Sequence, residues 1–191
     1  MKLEAKTLEG RFVRREPLEP YHYDGLKRAI EADQEIWTLY PYDMRGEHFD
    51  VWAARTEKNV ARGDAIAYAV LHQNEVVGVS VFVVIDTPNR RVEIGNTYYR
   101  PDRRGGVVNP ESKFLLLQHA FDSGVRCVQL RVDALNARSR AAVTKLGAQQ
   151  DGILRQDRII WTGRTRDTVI FSILSEEWPA VRAKLLVRLQ H

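Results

Sequence analysis

The sequence predicts an α/β (α+β) fold, a mixed and mostly antiparallel sheet of about seven strands with helices on both faces. Three observations predict it. Between residues 66 and 99, three β-branched runs are separated by short polar turns, the pattern of an antiparallel meander. From 110 to 147, two helically spaced segments flank one strand-like run. After 153 come a hairpin pattern and a last amphipathic helix.

The elements follow in order. Arg11–Arg15 reads as a first strand, ended by Pro17. Leu26, Ala29 and Ile30 give Tyr21–Asp33 helical spacing, and Phe49, Trp52, Ala53 and Val60 form the apolar side of a helix over Gly46–Ala61. An aromatic linker, Glu35–Tyr42, joins the two. The meander runs through Ile66–Leu71, Val76–Ile85 and Arg91–Tyr99, with turns at His72–Glu75 and Thr87-Pro88-Asn89. A helix over Pro110–Phe121 takes Asn109 as N-cap, Pro110 at the first position and Glu111 in the first turn. Its expected buried side is Phe114, Leu115, Leu117, Ala120 and Phe121. Strand Cys127–Val132 leads to helix Ala137–Leu146, stopped by Gly147 at the C′ position. Ile153–Trp161 and Thr165–Leu174 pair around Thr162–Gly163. The final helix, Glu176–Leu189, has Ser175 as N-cap. Its stripe of Trp178, Val181, Leu185, Leu186 and Leu189 is read as core, with a homodimer contact as the alternative. No repeat, linker or low-complexity segment interrupts residues 1–191, which read as one domain.

Composition excludes several classes. Hydrophobic and charged contents of 44% and 28% are those of an ordinary globular protein. The net charge of +4 is dispersed except at Arg100, Arg103 and Arg104 and at Arg138 and Arg140. Such local clusters suit a small anionic ligand, and no recognition helix or aromatic platform for nucleic acid accompanies them. The single cysteine, Cys127, excludes an internal disulfide and a cysteine-rich zinc site, and reads as a packed thiol in a strand. His22, His48, His72, His119 and His191 show no metal spacing, so no metal is expected. No apolar run approaches the roughly 18 residues of a membrane helix, and Met1–Lys6 lacks an apolar signal core, so a cytoplasmic protein without a membrane partner is expected.

The chemistry-bearing stretch is Tyr98–Glu111: a strand end, a basic glycine loop (Arg103, Arg104, Gly105, Gly106, Val107, Val108) and a helix start at Asn109. Backbone N–H groups freed by glycine geometry, ahead of a helix N-terminus and beside arginines, hold an anion such as a pyrophosphate. A basic structural turn is the plainer reading. A second stretch, Asn136 to Gly147, places Asn136, Arg138, Ser139 and Arg140 where a strand gives way to a helix. There Asn136 is either a turn residue or a ligand contact, and Ser139 either a capping residue or a reacting hydroxyl.

Taken together, these stretches resemble the GCN5-related N-acetyltransferase (GNAT) superfamily, and within it the RimJ/RimL-like ribosomal-protein N-terminal acetyltransferases. The resemblance rests on Leu8–Leu18, Val92–Tyr98, the arginine–glycine loop with Asn109–Lys113, Asp133–Ala148 and Arg166–Leu174. It implies acetyl-CoA as co-substrate, with its pyrophosphate on Arg103–Asn109. Starting the family's loop motif at Arg103 aligns Gly106 and puts Val108 at the last small position. Counting back from Glu111 starts it at Arg104 and puts Val107 where a glycine is expected. The resemblance also implies that a backbone N–H near Thr97–Tyr99 polarises the acetyl carbonyl, that Asn136 and Arg138 contact the cofactor, and that the Ser139 hydroxyl protonates the departing thiolate. A neutral amine acceptor needs a base. Glu93, in a mostly apolar strand that would raise its pKa, is the leading candidate, and a strand-edge glutamate paired with Arg91 is the alternative. Arg158, with Asp157 beside it, stands where related enzymes place a glutamate. Trp37, Tyr40 and Tyr42 fall in the region that forms the acceptor wall, as pocket lining or as plain packing. The expected function is acetyl transfer to a primary amine, a protein N-terminus or a small molecule, by direct transfer in a ternary complex. The alternative is a catalytically weak CoA-binding sensor of the same fold.

Overall fold

A computed structural model describes residues 1–190. Eight strands form one sheet in the order β1-β2-β3-β4-β5-β6-β8-β7. They are β1 (Leu8–Glu9), β2 (Val13–Pro17), β3 (Ile66–His72), β4 (Glu75–Asp86), β5 (Arg91–Tyr99), β6 (Cys127–Asp133), β7 (Gln149–Ile159) and β8 (Thr165–Leu174). Every neighbouring pair is antiparallel except β5–β6. The helices are α1 (Tyr23–Glu31), α2 (His48–Ala61), α3 (Val108–Asp122), α4 (Ala137–Leu146) and α5 (Trp178–Gln190).

Two apolar layers sandwich the sheet. On one face Leu26, Ile30, Phe49 and Trp52 of α1 and α2 pack with Val79, Val81 and Tyr98. On the other, Leu116, Leu117 and Ala120 of α3, Val143 and Leu146 of α4 and Trp178, Val181 and Leu185 of α5 pack against Phe82, Ile94, Leu130 and Phe171. The α5 stripe is therefore core for Trp178, Val181 and Leu185. The Trp178 indole stacks on Phe121 at 5.3 Å.

Several boundaries differ from expectation. The sheet gains β1, a two-residue strand that the short Leu8–Glu9 run does not announce. α3 starts at Val108, two residues early, and Val107 is its N-cap without a side-chain bond; Asn109 is not the cap. Burial decides this, because Val108 packs with Val13, Val70, Val77 and Tyr99. In α3 the fully buried apolar residues are Leu116, Leu117 and Ala120, whereas Phe114, Leu115 and Phe121 are only partly covered. Val60 is 41% exposed, since the buried side of α2 ends at Thr56, whose hydroxyl donates to the Trp52 carbonyl. Cys127 is only half-buried. His191 lies outside the described residues.

One clasp fixes α3 against the opening strands. The Glu111 carboxylate, 4% exposed, accepts the backbone N–H groups of Arg11, Phe12 and Val13 at 2.8, 2.7 and 2.6 Å. Arg15, fully buried, donates to the Ser112 hydroxyl and carbonyl, and Tyr99 donates to the same hydroxyl at 2.8 Å. The start of α3 is thereby held beside the end of β5.

Candidate active site

The parallel strands β5 and β6 pair only from Arg91–Ile94 to Cys127–Leu130. Beyond that point β5 pairs only with β4, and β6 only with β8, so the two strands part. A bulge drives the parting: Asn96 and Thr97 stand opposite the single residue Ser80, and Asn96 has φ +49°. The Thr97 hydroxyl is bonded to Ser80 Oγ at 2.7 Å and accepts from Lys113 Nζ at 2.8 Å. Burial, with the Arg15 guanidinium adding to it, pushes the Lys113 amine down to about 7. The wedge opens into a cleft of about 510 Å³.

Where the cleft meets α3, the chain supplies an anion cradle. Among the described residues no acceptor takes the backbone N–H groups of Gly105, Gly106, Val107, Val108 and Asn109. Gly105 has φ +80°, a conformation that costs any other residue, and a Cβ at either glycine would stand in open space. Five unpaired donors at a helix N-terminus are the kind of arrangement that suits an anion. Of the expected residues, Tyr99, Arg104, Gly105, Gly106, Asn109, Asn136, Arg138 and Ser139 line the cleft. Arg103, Val107 and Val108 do not. Arg103 pairs with Asp102 and Glu75, and the Val108 side chain points into the core. Arg104 lines the cleft but is tied to the Tyr99 carbonyl at 2.7 Å and to Asp33 at 2.5 Å. Asn136 is the N-cap of α4 and accepts from the Ser139 N–H at 2.9 Å, which leaves the Ser139 hydroxyl at the cleft rim.

On the opposite wall the aromatic linker divides. Trp37 is fully buried, stacked on Tyr98 at 4.9 Å, and does not reach the cleft. Tyr42 does not line it either; its ring lies under the Arg55 guanidinium, and its buried hydroxyl has no partner. Tyr40 lines the cleft and donates its hydroxyl to the Thr97 carbonyl. The β7–β8 hairpin closes over this loop, with Trp161 Nε1 donating to the Trp37 carbonyl at 2.9 Å and Arg164 to the Thr38 carbonyl at 3.2 Å.

Glu93 lies in the same cleft. Its partner is Arg131, at 3.2 Å, and not Arg91, which pairs with Asp86. Burial raises the Glu93 carboxyl above its usual range, opposed by Arg131, Arg158 and Arg166. Between Leu154 and Arg158, three β7 residues oppose Asp167 alone, and Asp167 Oδ1 accepts the N–H of Gln156 at 2.7 Å. That kink turns Asp157 toward Thr168, which donates to it at 2.8 Å, and brings Arg158 into the cleft. Burial works against ionising Asp157, but the bonds from Thr168 and Arg158 hold its carboxyl below the usual range.

Sequence reasoning missed Lys113, Arg131 and Arg166 as cleft residues. Lys113 was readable: Leu116, Leu117 and Ala120 follow it at three, four and seven residues, so the lysine sits on the apolar face of its helix. Among the described residues no cluster of His, Cys, Asp or Glu suits a metal ion. No described helix is long and apolar enough to cross a membrane.

A sheet split beside a helix start with unpaired N–H groups is the architecture against which the comparisons with known proteins are set. The profile of the Acetyltransferase (GNAT) domain matches residues 13–149, and the chain belongs to that family of acetyltransferases. A GCN5-related N-acetyltransferase from Brucella melitensis is 32% identical, with 99% of this chain and 87% of that one covered and a TM-score of 0.89. A T. thermophilus protein assigned as an acetyltransferase is 33% identical over 99% of this chain and all of that one, with a TM-score of 0.87. Mycobacterium smegmatis RimJ, solved with CoA-disulfide, shares the fold at 20% identity and a TM-score of 0.81, covering 96% of this chain and 94% of that one. Among curated proteins no match is found. The family takes its acetyl group from acetyl-CoA, and nothing in these comparisons favours the sensor alternative. The cleft suits that co-substrate: unpaired N–H groups for a pyrophosphate, and parted strand edges for an amide-bearing arm.

Proposed function

We propose that this protein is an N-acetyltransferase that moves an acetyl group from acetyl-CoA to a primary amine by direct transfer in a ternary complex. One observation carries the reading: a single cleft joins Gly105, Gly106 and Asn109, with their unbonded N–H groups, the free edge of β5 and a partly buried carboxylate, Glu93. When bound, acetyl-CoA supplies an activated thioester. Glu93 accepts the proton of the attacking amine, directly or through water. Burial raises its pKa above that of a free carboxylate, which makes it a stronger base once ionised. Backbone N–H groups of the bulged Thr97–Tyr99 segment are positioned to stabilise a developing oxyanion. Ser139, oriented by the Asn136 cap, gives its hydroxyl proton to the leaving thiolate. No covalent enzyme intermediate is needed.

The motifs at Leu8–Leu18 and Asp133–Ala148 support placement in the RimJ/RimL-like branch, and cytoplasmic residence goes with that reading. The test is Ser139→Ala. Turnover with saturating co-substrate should fall at least about 10-fold while calorimetric CoA affinity changes little. Weakened CoA binding with unchanged turnover would remove Ser139 from the chemistry.

A further inference from the structure

The acceptor end of the cleft has a charge pattern that the transfer chemistry alone does not require. Glu93 sits among arginines from three adjacent strands: Arg131 of β6, Arg158 of β7 and Arg166 of β8. With Arg164 from the hairpin, four guanidinium groups face three carboxylates, those of Glu93, Asp133 and Asp157. The pairings leave one cation over. Arg131 takes Glu93 at 3.2 Å, Arg158 takes Asp157 at 2.9 Å and Arg164 takes Asp133 at 2.5 Å. Arg166, only 5% exposed, holds Thr168 Oγ1 at 3.0 Å and has just the already paired Asp133 carboxylate at 3.9 Å. A buried guanidinium without its own counter-ion is costly, and an oxyanion from outside would offset that cost with two parallel hydrogen bonds.

The hairpin limits what can enter. Trp161 and Arg164 are bonded to the Trp37 and Thr38 carbonyls, so the tip of the β7–β8 hairpin is joined to the α1–α2 loop on the acceptor side. A compact molecule fits such a chamber better than an extended polypeptide.

We propose that the acceptor is a small amine that also bears an oxyanion, a carboxylate or a phosphate, with the amine at Glu93 and the oxyanion on Arg158 and Arg166. The inference rests on the N-acetyltransferase reading and names its substrate class. The step itself is ordinary acetyl transfer. The neutral amine forms a C–N bond to the thioester carbon, the C–S bond breaks and the amine's proton passes to Glu93. The departing thiolate takes the Ser139 hydroxyl proton and leaves as thiol, and the proton held on Glu93 returns to Ser139 through water, so one proton moves in all from amine to thiol.

The experiment measures thiol release at saturating acetyl-CoA for matched probes: amino acids against their carboxamides, O-phosphoethanolamine against ethanolamine, and octapeptides free at the N-terminus. Oxyanion-bearing small amines should exceed their neutral counterparts by about 10- to 100-fold in kcat/KM, the worth of a charge-assisted pair. The carboxylate and phosphate arms then show which oxyanion is preferred. Arg158→Gln should remove most of that preference through KM, and the charge-reversing Arg158→Glu should turn it toward diamines. Both leave acetyl-CoA affinity unchanged. Equal use of charged and neutral probes, or preference for the octapeptides, overturns the inference and leaves the N-acetyltransferase reading standing. If no probe releases thiol, that reading fails for these amines, and calorimetry of the same probes decides the inference. Tighter binding of the oxyanion members supports it, and equal or absent binding overturns it.

Discussion

Replacing Glu111 with alanine removes the acceptor of three backbone N–H groups at once. The Val13 N–H is buried, so its loss carries the full penalty of an unsatisfied donor, about 1–3 kcal/mol. The Arg11 and Phe12 groups are partly buried and recover some bonding from water, so each loses about 1 kcal/mol. The sum is about 4 kcal/mol, which for a chain of this size lowers the melting temperature by roughly 8–16 °C. Gly10→Ala should loosen the same clasp from the other side. Its Cβ would stand 2.5 Å from Glu111 Cδ, and three hydrogen bonds pin that carboxylate so that it cannot yield cheaply. Thermal unfolding followed by circular dichroism, with urea unfolding for the free energy, measures both variants. Because the clasp sets the start of α3, each should also weaken acetyl-CoA binding. A Glu111→Ala protein that melts within about 1 °C of wild type would refute the reasoning, for the three bonds would then carry no net stability.

Three further outcomes follow from the site. Lys113, held at about 7 when folded, binds its proton less tightly than in the unfolded chain, near 10.4. The unfolded state therefore holds the extra proton between about pH 7 and 10, and stability should rise with pH across that window. Urea titrations should show the rise in wild type and its loss in Lys113→Met; parallel curves would contradict it. Asn136→Ala deletes the cap on the Ser139 N–H and should cost about 1 kcal/mol, with a fall in turnover because Ser139 loses its orientation, read by urea unfolding and thiol release. Glu93 carries a raised pKa and must be ionised to act as a base, so kcat/KM should climb through a displaced acid limb. Glu93→Gln should abolish that limb, and a variant that keeps it would pass the role to another group.

Local chemistry made much of the fold legible. The β-branched runs of β3, β4 and β5 have no competing helical period, and Gly147 ends α4 with φ +104°, as a C′ glycine does. Features set by partners across the sheet were not legible. Nothing in the run Gly95-Asn96-Thr97 tells that two of its residues will oppose Ser80, yet that bulge parts the strands and makes the cleft. Arg158 reaches the cleft that Glu93 lines only because three residues of β7 bulge against Asp167, a register that periodicity does not encode. Val108 illustrates the same limit. As a β-branched residue in a glycine loop it reads as an obstacle, but tertiary packing turns it into the core and frees its N–H for the cradle.

The central claim is that acetyl-CoA lies in the cleft between β5 and β6 with its pyrophosphate on the start of α3. Amide hydrogen exchange with and without acetyl-CoA tests it most directly. The account predicts slowed exchange at Gly105–Asn109 and along Gly95–Tyr99, where backbone groups lack partners on the cleft side. Tight binding that leaves both segments unprotected would contradict it.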